Sequence, residues 1–210
     1  PRTLNITGSD HPKVLSYLDV LRDKKPVGKK VAIIGAGGIG FDVAEYLLHD
    51  KKPQFNGNDV PEQRSIDEFT ASWGIDQELE HPGSLTGKGK PQHPADRELF
   101  LLQRKAGKVG ADLGKTTGWI HRTELHRHGV KMMNGCEYLS IDDAGLQLRN
   151  GDVESVLEVD TVVICAGQEP LQELTNGLSL PYTLIGGADI AAGLDAKRAI
   201  AQGAELAASM

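Results

Sequence analysis

Residues 30–50 read KVAIIGAGGIGFDVAEYLLHD, and no other stretch restricts the fold of this chain so much. Val31, Ala32, Ile33 and Ile34 form a short apolar run of the kind that is buried on both faces in a parallel sheet. Directly after it, Gly35, Gly37 and Gly40 stand at G-x-G-x-x-G spacing, with Ala36, Gly38 and Ile39 between them. Phe41, Val43, Ala44, Leu47 and Leu48 then recur at helical spacing, so the order is strand, glycine turn, helix. The glycine string alone is weak, because glycines gather in many turns; the strand before it and the helix behind it give it meaning. In that setting Gly35 permits the tight turn, Gly37 lets the backbone approach a pyrophosphate, and Gly40 lets the helix pack closely on the strand. The unpaired N–H groups at the start of the helix then face the phosphates. Gly35, Gly37, Gly38, Ile39 and Gly40 read as a dinucleotide site, and the competing reading is a glycine-rich turn in a structural fold.

The rest of the chain continues the alternation. DHPKVLSYLDVLRDKKPVGKK is expected to be a helix, with Val14, Leu15, Leu18 and Leu21 at helical spacing, a start near Asp10 and Pro12, and a close at Lys24, Lys25, Pro26 and Gly28. RELFLLQRK reads as a strand, GWIHRTELHRHG as a helix stopped by Gly129, and VKMM as a third strand. CEYLSIDDAGLQLRNGDVESVLEVD has short alternating runs and turn signals at Asp143-Ala144-Gly145 and Asn150-Gly151-Asp152, which predicts a small antiparallel meander. TVVICAG is a buried strand, LPYTLIGG is expected to be a further strand, and LDAKRAIAQGAELAASM is a closing helix. The sum is an α/β, Rossmann-like doubly wound sheet with a small antiparallel meander. Residues 51–97 break the pattern with Pro53, Pro61, Pro82, Pro91 and Pro94 and read as an elaborated insertion, with one short helix around EFTASWGI. So long a loop in a compact domain is usually functional or an interaction surface.

Composition narrows the function classes. With 39% hydrophobic and 25% charged residues, and no uninterrupted apolar run of about 18, neither disorder nor a membrane span is expected. A net charge of −6 argues against a nucleic-acid surface, which needs a basic face, so any nucleotide here is a small cofactor. Cys136 and Cys165 lie far apart, without metal or disulfide spacing, and suit a reducing, cytoplasmic setting as small core residues. The 25 glycines exceed the roughly 15 of average usage, as tight turns or close ligand approach would require. The chain begins Pro1-Arg2-Thr3 and carries no signal-peptide pattern, so it is expected to be a piece of something longer.

NAD enzymes of this type place a carboxylate about 20 residues past the glycines, at the end of the second strand, to hold the ribose 2′-OH. Asp59 sits at that distance, but QFNGNDVPEQ contains no strand, so the spacing is coincidence. The next credible strand, Leu99 to Gln103, ends in Arg104-Lys105 with no carboxylate beside them. Two cations there suit the extra phosphate of NADP(H), and the alternative is a solvated basic turn. GADLGKTTG resembles a P-loop but has Val109 where glycine is required; Lys115, Thr116 and Thr117 are expected chiefly to cap the helix that follows. His121, Glu124, His126 and His128 lack the H-E-x-x-H pattern and read as a solvated helix face, while Met132 and Met133 read as packing.

Taken together, GKKVAIIGAGGIGFDVAEYL, LLQRKAGKVGADLGKTTGWIHR, VDTVVICAGQEP and LIGGADIAAGLDAKRAIAQG resemble one family, the bacterial NADPH-dependent 2,4-dienoyl-CoA reductases, nearly end to end. The resemblance implies a fold of the two-dinucleotide-binding flavoproteins. In these iron–sulfur flavoenzymes a barrel carries FMN and the substrate, and an NADPH lobe is inserted into an FAD lobe. Residues 1–28 would leave the FAD lobe, residues 29–180 would be the NADPH lobe, and residues 181–210 would return to the FAD lobe. The glycines would face the NADPH pyrophosphate, and Arg104 and Lys105 its 2′-phosphate. Ala166 and Gly167 would border the nicotinamide, and Gly187, Asp189 and Ala196 would contribute part of an FAD site. Hydride would pass from NADPH to FAD, and electrons onward through a 4Fe–4S cluster and FMN to a dienoyl-CoA in unsaturated fatty acid β-oxidation. With a single G-x-G-x-x-G and neither cluster cysteines nor a barrel, this chain is expected not to be competent alone; its partners would be NADPH and the FAD and FMN-barrel domains. The alternatives are a structural or regulatory nucleotide module, as in trimethylamine dehydrogenase, or the reductase half of another flavoprotein.

Overall fold

The computed structural model describes residues 1–48, 65–86 and 96–210. Asp59 lies outside them. The described chain divides into two units, Ile6–Cys165 and Pro1–Asn5 with Ala166–Met210.

The larger unit is built on a parallel sheet. In chain order its elements are β1 (Val14–Ser16), α1 (Tyr17–Leu21), β2 (Lys30–Ile34), α2 (Gly38–Leu48), α3 (Ile66–Trp73), β3 (Glu98–Leu102), α4 (Gly118–Arg127), β4 (Lys131–Met133), β5 (Cys136–Asp142), β6 (Gly145–Asn150), β7 (Val153–Leu157) and β8 (Thr161–Ile164). The parallel sheet has the order β1-β8-β2-β3-β4, and β5-β6-β7 form the antiparallel meander. Ile34 lies opposite Leu102 on one side and Ile164 on the other, so three strands finish level with one another. Val31, Ile33, Leu99, Leu101 and Val163 enter one core with Phe41, Val43, Ala44 and Leu47 of α2 and Leu125 of α4. The alternate residues Ala32, Ile34, Phe100, Leu102 and Val162 are buried as well, which is why these strands read as unbroken apolar runs.

Two expected elements differ. The helix expected to start near residue 10 and close at residues 24–28 is a strand followed by one helical turn: Val14, Leu15 and Ser16 pair with Val162, Val163 and Ile164 of β8. The bare edge of β8 takes up Val14 and Leu15, and the helix starts only after Ser16. There a reciprocal cap forms, the Asp19 amide donating to Ser16 Oγ and the Ser16 amide to Asp19 Oδ2. The strand expected in LPYTLIGG is also not found: Leu180 and Tyr182 are exposed in irregular chain, and a single 3₁₀ turn forms at Gly186–Ala188. Apolar residues there follow strand spacing, but no neighbouring strand pairs with them. The rest of the smaller unit is dominated by α5 (Ala196–Ser209), capped by Asp195. The short helix expected around EFTASWGI is α3. Among the described residues no helix is long and apolar enough to cross a membrane.

Two measurements test this packing. Leu101 is fully buried, so Leu101→Ala should cost about 2–5 kcal/mol of stability in urea unfolding. The second concerns the α1 cap, where the Lys25 ammonium 2.6 Å from Asp19, aided by Ser16, holds that carboxyl at about 2, below its ordinary 3.8. Its contribution is therefore complete above about pH 4 and lost as pH falls toward about 2. Melting temperatures of wild type and Asp19→Asn should differ most above that window and converge below it.

Candidate functional site

The glycine turn joins β2 to α2 at the carboxyl edge of the sheet. Gly35 has φ +111°, a conformation that a side chain would resist, and its N–H donates to Leu102 O at 2.9 Å. A Cβ on Gly40 would stand 1.8 Å from the Gly35 carbonyl oxygen, so only glycine lets α2 come this close to the turn. At Gly37 and Gly38 an added Cβ would meet nothing within 4 Å, which leaves the outer side of the turn open. The first helical bond runs from the Phe41 amide to Gly37 O, so the amides of Gly38, Ile39 and Gly40 precede the helical ladder. No acidic residue lies in that first turn, and the Ile39 side chain packs on the core. These residues fit a dinucleotide pyrophosphate: the turn is drawn tight where helix and strand meet and is unobstructed where a ligand would approach.

One strand away, β3 ends at Leu102 and the chain runs into Arg104 and Lys105. This loop is held by backbone and amide bonds. Gln103 Nε2 donates to Lys105 O at 3.0 Å and Gly107 O at 3.3 Å, the Gly135 amide donates to Lys105 O at 3.1 Å, and Asn134 Nδ2 donates to Gly107 O at 2.6 Å. Arg122 on α4 binds Gly110 O at 2.8 Å, and Val109 is buried in the core. The pair is not free of carboxylates, as its local sequence suggests: the turn brings Asp112 to 2.7 Å from Lys105 Nζ. Arg104 makes no ion pair among the described residues. Its charge opposes, without cancelling, the burial that pushes the Tyr138 phenol well up, and the Tyr138 hydroxyl has no partner among the described residues.

The remaining candidates separate. Thr117 stands at the N-cap of α4, but its side chain makes no capping bond; Gly114 O instead receives the Thr117 and Gly118 amides at 3.2 and 2.7 Å. A φ of −116° with ψ −22° puts Thr117 outside the extended geometry in which a hydroxyl reaches back to the first turn. His121 lies 2.7 Å from Glu45 and ties α4 to α2, while His128 bonds to Glu124 O at 3.0 Å. Cys136 and Cys165 are buried free thiols, and burial pushes Cys165 up to about 12, far from a reactive thiolate. Arg127, buried on α4, bonds to Ser72 O and lies 4.9 Å over the Trp73 ring, which anchors α3 of the insertion. Sequence reasoning missed this contact, for which an arginine on a charged helix is no signal.

Ala166, Gly167, Gly187, Asp189 and Ala196 belong to the smaller unit. Gly167 O accepts the Arg2 amide at 3.2 Å, and Ala196 opens α5 behind the Asp195 cap, which accepts the Arg198 amide at 2.7 Å. Asp189 follows the Gly186–Ala188 turn, and Gln202 of α5 holds both ends of that loop. Gln202 Oε1 accepts the Gly186 amide at 2.8 Å while Nε2 donates to Asp189 Oδ2 at 3.0 Å. Gln202 was not visible as a site residue in the sequence, since it lies in no motif.

The sequence profile described as pyridine nucleotide-disulphide oxidoreductase matches residues 1–196. A metal reductase of Desulforamulus reducens is 25% identical over 178 residues, 85% of this chain and 24% of the relative. A cinnamate reductase of Clostridium sporogenes is 50% identical over 52 residues, which cover 25% of this chain and 8% of the relative. Among solved structures, a 2-naphthoyl-CoA reductase complexed with 2-naphthoyl-CoA superimposes with a TM-score of 0.62 at 20% identity, covering 95% of this chain and 24% of that one. An amine oxidase acting on 6-hydroxypseudooxynicotine from Pseudomonas geniculata has a TM-score of 0.54 at 16% identity, covering 83% and 20% of the respective chains. These superpositions show the shared fold, and this chain spans about a quarter of the metal reductase and of the naphthoyl-CoA reductase.

The geometry predicts opposite behaviour for two glycines. Gly40→Ala must push α2 off the turn and should cost about 1–3 kcal/mol, read as a lower melting temperature. Gly37→Ala, with open space around its Cβ, should leave the melting temperature unchanged and weaken dinucleotide binding in calorimetry.

Proposed function

The chain belongs to the pyridine nucleotide-disulphide oxidoreductase family, and from that premise we propose that it is the NADPH-binding, electron-input portion of a longer flavoprotein reductase of the 2,4-dienoyl-CoA reductase kind. The observation that carries the reading is the turn at Gly35–Gly40, closed to any side chain at Gly40 and open at Gly37 and Gly38. Gly38, Ile39 and Gly40 would present their amides to the pyrophosphate, and Arg104, one strand away, would meet the 2′-phosphate with its forked guanidinium. When bound, NADPH would supply a hydride for a flavin. This chain's part would be to hold the nucleotide through the Gly38, Ile39 and Gly40 amides and Arg104.

Ala166 and Gly167, which follow β8, would border the nicotinamide. Gly187, Asp189 and Ala196 would give part of an FAD site, with Gln202 holding Asp189 in place. The FAD adenylate, FMN and 4Fe–4S cluster would be housed by domains outside these residues, so the chain would not reduce a dienoyl-CoA by itself. An acyl-CoA substrate is supported by the four quoted sequence segments and by the name of the naphthoyl-CoA reductase. A cytoplasmic setting accords with two buried, unpaired thiols.

A second reading, a nucleotide module without a reductive role, is favoured by one observation: Lys105 is already paired with Asp112. Calorimetric titration of the purified chain with NADPH and with NADH, at low and moderate salt, separates the two. Tighter and more salt-sensitive NADPH binding is expected, because an exposed phosphate contact weakens as salt screens it. Equal affinities would remove the NADPH assignment, and binding of neither nucleotide would favour the second reading.

A further inference from the structure

The loop that follows β3 carries its own anion. We propose that Asp112 sets the discrimination between NADPH and NADH, acting through Lys105 as a tethered counter-ion that a 2′-phosphate must displace. The inference rests on the nucleotide reading above.

Three observations support it. The backbone on both sides of the pair is fixed by hydrogen bonds to carbonyl oxygens, from Gln103, Gly135 and Asn134 on the Lys105 side and from the Arg122 guanidinium to Gly110 on the Asp112 side. Val109 and Leu113 are also packed into the core on either side of Gly110, so the backbone that carries Asp112 is held close to Lys105. Second, both side chains are 79% exposed, so the pair is weak, open to a ligand and easily exchanged. Third, it follows the strand hydrogen-bonded to β2, where dinucleotide-binding folds read the 2′-position of the adenosine ribose.

The consequence is selective. A 2′-phosphate dianion competes with the Asp112 carboxylate for one ammonium group, and the two anions repel if both remain. A 2′-hydroxyl brings no charge and leaves the pair as it is. Asp112 therefore lowers affinity for NADPH and leaves NADH affinity nearly untouched, and Arg104 is the cation available to the phosphate from the start.

Calorimetric titration of the full chain with NADPH and with NADH, for wild type, Asp112→Asn, Lys105→Gln and the double variant, tests this at two salt concentrations. Asp112→Asn should tighten NADPH about twofold to fivefold, the range an exposed ion pair allows, with a steeper salt dependence and no change for NADH. In the Lys105→Gln background the same substitution should have a clearly smaller effect, since only direct repulsion between carboxylate and phosphate is then relieved. The inference is overturned if Asp112→Asn leaves NADPH binding unchanged, shifts both nucleotides by the same factor, or acts equally without Lys105. If wild type prefers NADPH while Asp112→Asn does nothing, only this inference falls. If wild type binds the two equally and Asp112→Asn acquires an NADPH preference, the inference stands and the NADPH assignment falls. If no variant binds NADPH, both fall.

Discussion

A side chain cannot be placed between Gly40 and the Gly35 carbonyl, and the arrangement of the larger unit follows from that close approach. Because α2 presses on the turn, its first amides lie at the carboxyl edge of the sheet, ahead of the helical ladder. Because β2 is central, with β8 on one side and β3 on the other, that edge is shared. The Gly35 amide donates to Leu102 O and the Cys165 amide donates to Ile34 O, so three strand ends are locked level at the same place. The chain that leaves β3 toward Arg104 and Lys105 therefore starts beside the glycine turn.

Polar interactions divide by task. Those that fix the loops are uncharged or are charged groups bound to carbonyls: Gln103 and Asn134 on the turn after β3, Arg122 on Gly110, and Arg97 on Gly28 O and Leu47 O. Such bonds hold geometry at any salt concentration. The cations that follow β3, Arg104 and Lys105, are exposed instead, where attraction to any anion is screenable and reversible. The thiols play no part in this: desolvation keeps Cys165 protonated at the end of β8, although it lies beside the glycine turn in the sheet. Arg127 does a different job, since its guanidinium caps the insertion helix through Ser72 and Trp73 and leaves little of its own surface in water.

Much of the architecture was legible because it depends on local spacing. Val31 to Ile34, Leu99 to Leu102 and Thr161 to Ile164 are apolar without interruption, and strands covered on both faces need that. The meander followed from alternation and turn residues, and β6 indeed pairs with both β5 and β7. The two misread segments fail for one reason. Val14, Leu15 and Leu18 satisfy a helical period and a strand alike over so few residues, and what decided between them was the open edge of β8. In LPYTLIGG the pattern of a strand is present but no ladder partner exists for it among the described residues, and a strand without a partner does not form.

The sequence by itself determined the strand, turn and helix of the dinucleotide motif, since the chemistry of the turn requires glycine at set positions and the flanking periods are local. It determined equally the α/β class and the basic end of β3. Only the tertiary structure decided which charges meet. Lys105 and Asp112 lie seven residues apart, Gln202 and Asp189 thirteen, and Arg127 and Ser72 fifty-five. Contacts of that range depend on how intervening turns reverse the chain and on which helix packs where. Periodicity carries hydrophobic burial, which is additive along a face, but an ion pair or an amide clamp depends on a few ångströms of placement that no local pattern encodes.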